Sequence, residues 1–358
     1  MQKRFVAAVI IGALLLSVAL TGCGGGSTKA TGGDQGKAAN PTSPGTSTPA
    51  PKPFAGVKLT IAYPSAAGYA DAVGSLAWKK LQDLGMTVDT KFMSTSDLAI
   101  KTVTQGDAQI GITAAVNVIS AVQNADAPLK IFLLDTRNEW SLVAKKSITD
   151  PKDLNGVNYG IHSPKSMTST LTNYIAEKYK VQPKVRVVPG SDVRAQALLK
   201  GQLDATLLEA GDMLTVLNEK PNDFHVLLSI AKELPTMQNL TYFARADWLQ
   251  KNPKVAGALV KAYLEAVREV YVDPGKLNAA MAKLFPDQKP QDLTRIGQYY
   301  VDQKIFDPNG SMTKDSAIDT MKFLILNGAI KGDANNPDYS KYYDFSVAEP
   351  VLKEIGSK

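Results

Sequence analysis

From Val57 onward, short apolar runs alternate with longer stretches in which apolar residues recur every three or four positions. Val57–Tyr63 reads as a strand stopped by Pro64. Tyr69–Leu84 reads as a helix through Tyr69, Val73, Leu76, Leu81 and Leu84, ending at Gly85. Thr87–Met93 is a second strand, Asp97–Thr104 a helix stopped by Gly106, and Ala108–Thr113 a third strand. Val116–Val122 is helical, and Leu129–Leu134 is a buried strand. Such alternation predicts an α/β fold with a mainly parallel sheet.

The pattern then restarts. Asp150–Gly156 is a short capped turn, followed by strand Val157–Ile161, helix Met167–Tyr179, strand Lys184–Val188, helix Asp192–Lys200 and strand Leu203–Leu208. Two blocks echo each other, Thr104-Gln-Gly106-Asp-Ala-Gln-Ile and Leu199-Lys-Gly201-Gln-Leu-Asp-Ala. In each, the Gly is placed to take the left-handed conformation that closes a helix before a buried strand. Two similar α/β lobes are therefore expected. The remainder is mostly helical: Asn252-Pro253 opens a helix with Val255, Leu259, Tyr263, Val267 and Val270 on one face. Met281, Leu284, Phe285, Ile318, Met321, Phe323 and Leu324 extend the helical reading. The charges around that face are mixed, so the stripe is assigned to core packing on the first lobe and not to a membrane surface.

The N-terminus differs. Lys3 and Arg4 precede the apolar run Phe5–Leu20, and small residues follow, which is the order of an export signal. Its 16 residues fall short of the ~20 that a membrane-crossing helix needs. From Gly24 to Pro53 there is no Val, Ile, Leu, Met or aromatic residue, so this stretch reads as a disordered Gly/Ser/Thr/Pro spacer; a glycosylated stalk is the other reading of the same composition.

Composition narrows the chemistry. One Cys and two His in 358 residues leave no intramolecular disulfide and little for a metal cluster, so no metal and no cofactor are expected. The formal charge is +6; without residues 1–22 it is 38 basic against 34 acidic residues, or +4, with no basic run beyond doublets such as Lys79-Lys80 and Lys145-Lys146. A nucleic-acid partner is not expected. There is no G-x-S-x-G elbow, no H-E-x-x-H and no phosphate-binding loop, which argues against an enzyme and leaves the catalytic set empty.

Leu20-Thr21-Gly22-Cys23 resembles the lipobox of bacterial lipoproteins. The resemblance implies cleavage before Cys23 and a diacylglyceryl group on its sulfur, hence a protein tethered by lipid on the extracytoplasmic face of the cell membrane. The body resembles the solute-binding proteins of ABC importers, in particular the group that includes alkanesulfonate, taurine, nitrate and thiamine-precursor binders. The match rests on Ile148–Ile161 (ITDPKDLNGVNYGI), Lys200–Ala205 (KGQLDA), Arg245–Pro253 (RADWLQKNP) and Gly310–Lys314 (GSMTK), in that order along residues 57 to 332. It implies a two-lobed periplasmic-binding-protein-like (type 2) fold with hinge strands and a helical C-terminal tail packed on lobe 1. The expected plan is signal peptide 1–22, lipidated Cys23 and linker 23–53, lobe 1 from 54–143 plus 232–358, and lobe 2 from 144–231. The implied partners are a small-molecule solute and ABC permease subunits, with the membrane met only through the lipid. The chain is read as a monomer.

Ligands of open α/β sheets sit beyond the carboxyl ends of the strands. Four loops qualify: Tyr63, Ser65 and Tyr69; Ser94 and Thr95; Thr113; and His162, Ser163, Lys165, Ser166 and Thr168. The last opens a helix, so its N–H groups, hydroxyls and Lys165 suit a small oxyanion, although Ser and Thr are also ordinary helix caps. Glu209 and Asp212 face the same crevice and suit an amine or ring N–H or the capping of the helix that starts near Gly211, with capping the favoured role for Asp212, and Trp140 is read as either pocket wall or core. The first reading of the solute is a small oxyanion of the sulfonate, taurine or nitrate kind. The second is a pyrimidine-like or other heteroaromatic solute; a ligand-sensing subunit and a tethered enzyme using His162 with Glu209 are the remaining alternatives.

Overall fold

The computed structural model describes residues 52–358. The expected export signal, Cys23 and all but the end of the spacer lie outside the described residues. Chain order begins with β1 (Lys58–Tyr63), α1 (Asp71–Asp83), β2 (Thr87–Phe92), α2 (Ser96–Gln105), β3 (Ile110–Ala114), α3 (Ala115–Ala125) and β4 (Leu129–Leu134). It continues with β5 (Ser141–Lys145), β6 (Asn158–Ile161), α4 (Met167–Tyr179), β7 (Lys184–Val187), α5 (Ser191–Leu199), β8 (Ala205–Leu208), α6 (Ala210–Glu219) and β9 (Phe224–Ser229). It ends with α7 (Ile230–Glu233), β10 (Leu240–Arg245), α8 (Ala246–Lys251), α9 (Pro253–Val272), α10 (Pro274–Leu284), α11 (Pro290–Asp302), α12 (Lys314–Leu326) and α13 (Ala348–Ile355).

The strands form two five-stranded sheets of the same plan, β2-β1-β3-β10-β4 and β7-β6-β8-β5-β9. In the first, β1 runs parallel to β2 and β3 while β10 is antiparallel to β3 and β4. In the second, β6 runs parallel to β7 and β8 while β5 is antiparallel to β8 and β9. The repeat seen in the sequence is thus a repeat of topology. Gly106 (φ 87°) and Gly201 (φ 71°) both take the left-handed conformation at the helix-to-strand turns. The expected lobe boundary at 143/144 falls inside β5, whose Ser141 already pairs with Leu208; the chain changes sheet earlier, between β4 and β5.

Two segments cross between the sheets, 135–140 outward and 230–239 back, and buried amides tie them together. Asn138 Nδ2 donates to the carbonyls of Ile230 and Leu234, each at 3.0 Å, and Asn239 N donates to Thr136 O at 3.1 Å. Trp140 Nε1 donates to Asn239 Oδ1 at 2.8 Å. Trp140 is therefore a hinge-core residue. Asn138, Asn239 and Thr136 are nearly or wholly inaccessible, so each bond replaces hydration that folding removed.

The apolar stripe of α9 is spent on the core. Leu259, Tyr263, Val267 and Val270 are fully buried in a cluster with Leu59 and Ile61 of β1 and Val73, Ala77 and Leu81 of α1. Truncating any of these leucines to Ala costs ~2–5 kcal/mol in a packed core. The tail also touches the second lobe: Asn218 of α6 donates to Asp292 of α11 at 3.1 Å and accepts from Arg295 at 2.7 Å.

Candidate functional site

A cavity of about 450 Å³ lies between the two sheets, at the carboxyl ends of β1 and β8. This is within the range of small-molecule pockets. Its first-lobe wall is the loop that follows β1. Tyr63 ends the strand, Pro64 stops it, and the small residues Ser65, Ala66, Ala67 and Gly68 bring backbone to the cavity surface. Asp71, in the first turn of α1, reaches back so that Gly68 N donates to its Oδ2 at 2.7 Å. The second-lobe wall carries Ser191 and Asp192 from the start of α5, Glu209 at the end of β8, and Asp212 and Thr215 from α6. Phe285 and Gln288, after α10, close one side.

The lobes meet tightly around this space. The ring of Tyr69 lies against Gly211, where a Cβ would collide with it, and the phenol stands 3.5 Å from Thr215 Oγ1. The other side of the ring packs on Phe285 with centroids 4.4 Å apart. Only glycine at 211 admits the ring, so this contact couples the β1 loop to α6.

Charge at the cavity has one sign. Its lining holds Asp71, Asp192, Glu209 and Asp212 and, among the described residues, no Lys, Arg or His. Burial, then the neighbouring Asp135 carboxylate, push Asp71 up to about 8. Burial and Asp192 raise Asp212 to about 6 against the pull of a Ser191 hydrogen bond and Arg194. Burial, Asp212 and Asp71 also raise Glu209. Beneath them, Glu139 of the outward crossing segment is 1% exposed; its Oε2 accepts from Ala210 N at 3.1 Å and its Oε1 has no partner. Arg194 is the nearest base. It is 1% exposed, and its Nε and Nη1 donate to the carbonyls of Leu207, Val188 and Gly190, so it holds the α5 turn. A larger groove of about 730 Å³ between α1, α9 and α13 lies within one lobe, and its Lys261 and Lys80 are already paired with Glu354 and Glu269.

Residues 81–276, over half of the chain, match the family described as NMT1/THI5 like. The chain belongs to the NMT1/THI5-like family. No curated protein matches this family member. Among solved structures, it is similar to a protein of Bordetella bronchiseptica RB50, with TM-score 0.70 and 19% identity over 84% of this chain and 98% of that one. It is also similar to the zinc-bound ligand-binding component of an ABC-type import system from Staphylococcus aureus (TM-score 0.67, 13% identity, 82% and 99% covered). The periplasmic nitrate-binding protein of Synechocystis PCC 6803 gives TM-score 0.65 and 12% identity over 84% and 89%. This NMT1/THI5-like chain thus has the periplasmic-binding-protein fold expected from its sequence.

The candidate residues divide between two places. Tyr63, Ser65, Tyr69 and Glu209 line the interlobe cavity. The hydroxyl-rich loop does not. Ser166 caps α4 by accepting from Ser169 N, and its Oγ also donates to Ser163 O at 2.7 Å. Thr168 Oγ1 accepts from His162 N at 2.8 Å and lies 2.8 Å from Ser166 Oγ. His162 Nδ1 accepts from Gly190 N at 3.0 Å, which puts the ring proton on Nε2, a buried atom with no partner. Burial, then Arg194, lower this imidazole to about 4 and keep it neutral. Lys165 is exposed and, with Ser169, Val116 and Asn173, lines a separate cavity of about 230 Å³; its carbonyl accepts from Asn117 Nδ2 at 3.0 Å across the lobes. Thr95 caps α2, Ser94 is exposed, and neither they nor the buried Thr113 line the larger cavity.

Asp212 caps nothing: α6 starts at Ala210 with Glu209 in the cap position and no side-chain cap bond, and Asp212 lies in the first turn as part of the cavity wall. Asp71, Asp192, Phe285 and Gln288 were not anticipated. Asp71 could have been found from its place just beyond the Tyr63–Tyr69 loop, since the first turn of the following helix shares the strand-end crevice.

Proposed function

We propose that this protein is the extracytoplasmic solute-binding lipoprotein of an ABC importer, anchored through Cys23, monomeric, and delivering a small solute to permease subunits. The observation that carries the reading is the cavity closed by the β1 loop of one lobe and the β8–α6 turn of the other. The lobes are joined by two crossing segments, an arrangement suited to closure around a solute. Family membership and the likeness to binding components of import systems support it. On this reading the solute is returned unchanged.

The lining favours the second of the two solute readings. Four acidic side chains, with no Lys, Arg or His among the described lining residues, offer acceptors and no cationic donor, so the lining suits a solute bearing N–H donors, such as a nitrogen heterocycle, better than an oxyanion. A thermal-shift screen of the purified chain against solute libraries tests the function. A cognate solute should raise the melting temperature by several degrees, contract the protein in small-angle scattering, and be recovered intact after denaturation. Failure of every library and of growth-medium extracts to shift melting would refute it. For the anchor, Cys23→Ser should release the protein from the membrane fraction and abolish labelling by a fatty acid.

A further inference from the structure

We propose that the solute is a small organic cation, an amine or amidinium whose N–H groups bridge Asp71 of the first lobe to Glu209 and Asp212 of the second. The inference rests on the binding-protein reading and names the class of solute for that same cavity. Three independent features carry it. A methyl group placed on Gly68 would stand 3.3 Å from Glu209 Oε2 and 3.7 Å from Asp71 Oδ2, so carboxylates from opposite lobes converge beside one backbone segment. Asp71 uses one oxygen on Gly68 N, while the Glu209 carboxylate takes no hydrogen bond from the described residues although it lines the cavity. Behind them Glu139 Oε1 is buried without a partner, and Arg194 spends its Nε and Nη1 on backbone carbonyls. Asp212 and Glu139 are buried and Asp71 and Glu209 half-buried, and carboxylates taken out of water and left short of donors are costly unless a positive group completes them. The remaining walls, Ile112, Leu240, Leu284 and Phe285, are apolar and favour a cation with a hydrocarbon or flat body.

The charge reading has a signature that an anion cannot imitate, and retention on a cation exchanger separates it from a neutral N–H donor. The groups at the site are Asp71 on α1, Asp192 on α5, Glu209 and Asp212 at the start of α6, and the phenols of Tyr63 and Tyr69, with Asp135 and Glu139 of the crossing segment and Arg194 of α5 behind them. Burial raises Asp71 to about 8, so near neutral pH this carboxyl holds a proton in the free protein. A cation stabilises the carboxylates and expels protons on binding, whereas an anion draws protons in.

The experiment uses the full chain without its signal. A growth-medium extract is split on a cation exchanger, and the retained fraction, the flow-through, and authentic putrescine, agmatine, methanesulfonate, nitrate and uracil are each tested by thermal shift. Any binder is then titrated calorimetrically in two buffers of different ionisation enthalpy. The expected result is binding confined to the retained fraction or the authentic amines, with net proton release at pH 7. Glu209→Gln and Asp71→Asn should each weaken it at least tenfold while circular dichroism stays unchanged. Binding of methanesulfonate, nitrate, uracil or the flow-through alone, or binding with proton uptake, overturns the cation inference and leaves the binding-protein reading standing. No shift by any sample overturns both.

Discussion

Two strand-end loops, alike in position, differ in what they do with their polar groups. The 162–169 loop satisfies itself: Ser166 serves Ser163, Thr168 and Ser169, and Thr168 serves His162. The β1 loop and the β8–α6 turn hold fewer hydroxyls but leave the Glu209 carboxylate without a hydrogen bond from the described residues. Donor-rich sequence therefore identifies a loop that can fold on itself, while a half-buried acid without a hydrogen-bond donor marks the surface for which a solute is proposed.

The comparison can be broken at several points. The largest effect is expected for Gly211→Leu, which puts a side chain where the Tyr69 ring lies. It should leave each lobe folded but prevent closure, weakening solute binding on the order of 100-fold, ~2.7 kcal/mol. Calorimetry and solute-induced contraction in scattering check this, and an unchanged affinity would show that the Tyr69 contact is not needed for capture.

Next comes pH. Asp71 stands at 3.8 when exposed and about 8 when folded, so its contribution to stability is greatest below about pH 4 and is lost as pH rises through about 8. The solute-free protein should melt at least a few degrees higher at pH 6 than at pH 8.5, roughly 2–4 °C for each kcal/mol. Asp71→Asn should reduce that slope and leave the part contributed by Glu209 and Asp135, which burial also raises; an unchanged slope would move its origin away from Asp71.

Smaller effects belong to the self-satisfied loop. Ser166→Ala removes the α4 cap and the Ser163 bond and should cost ~1–2 kcal/mol in denaturant unfolding, with solute affinity unchanged within about twofold. Lys165→Ala, at an exposed position, should alter neither stability nor affinity measurably. A large loss of affinity in either variant would restore the oxyanion site.

How far the sequence foretold this follows from the kind of signal each region carries. β4 and α4 occupy the residues that their patterns assign, because a continuous apolar run and a three-to-four spacing respond directly to burial. β5, β9 and β10 were not individually placed: each is five or six residues long and owes its place to antiparallel partners far away in the chain. Tyr63, Tyr69 and Glu209 were legible from strand-end position alone. Asp212 was placed at the same crevice but weighed toward a cap, and Asp71 and Asp192 were passed over, since acids in a first helical turn are ordinary partners of the helix dipole. Phe285 carried only the signature of a core helix; its place at the cavity is set by how α10 lies on α1, which no local pattern encodes.

The clasp at the crossing segments constrains how the molecule can signal. Asn138 and Asn239 fasten the outgoing crossing segment to the returning one, so sliding of one lobe past the other would break several buried amide bonds at once, whereas swinging about the clasp need break none of these. The clasp therefore favours an angular motion over a sliding one, and a partner spanning the outside of both lobes would read solute occupancy as an angle, without touching the solute.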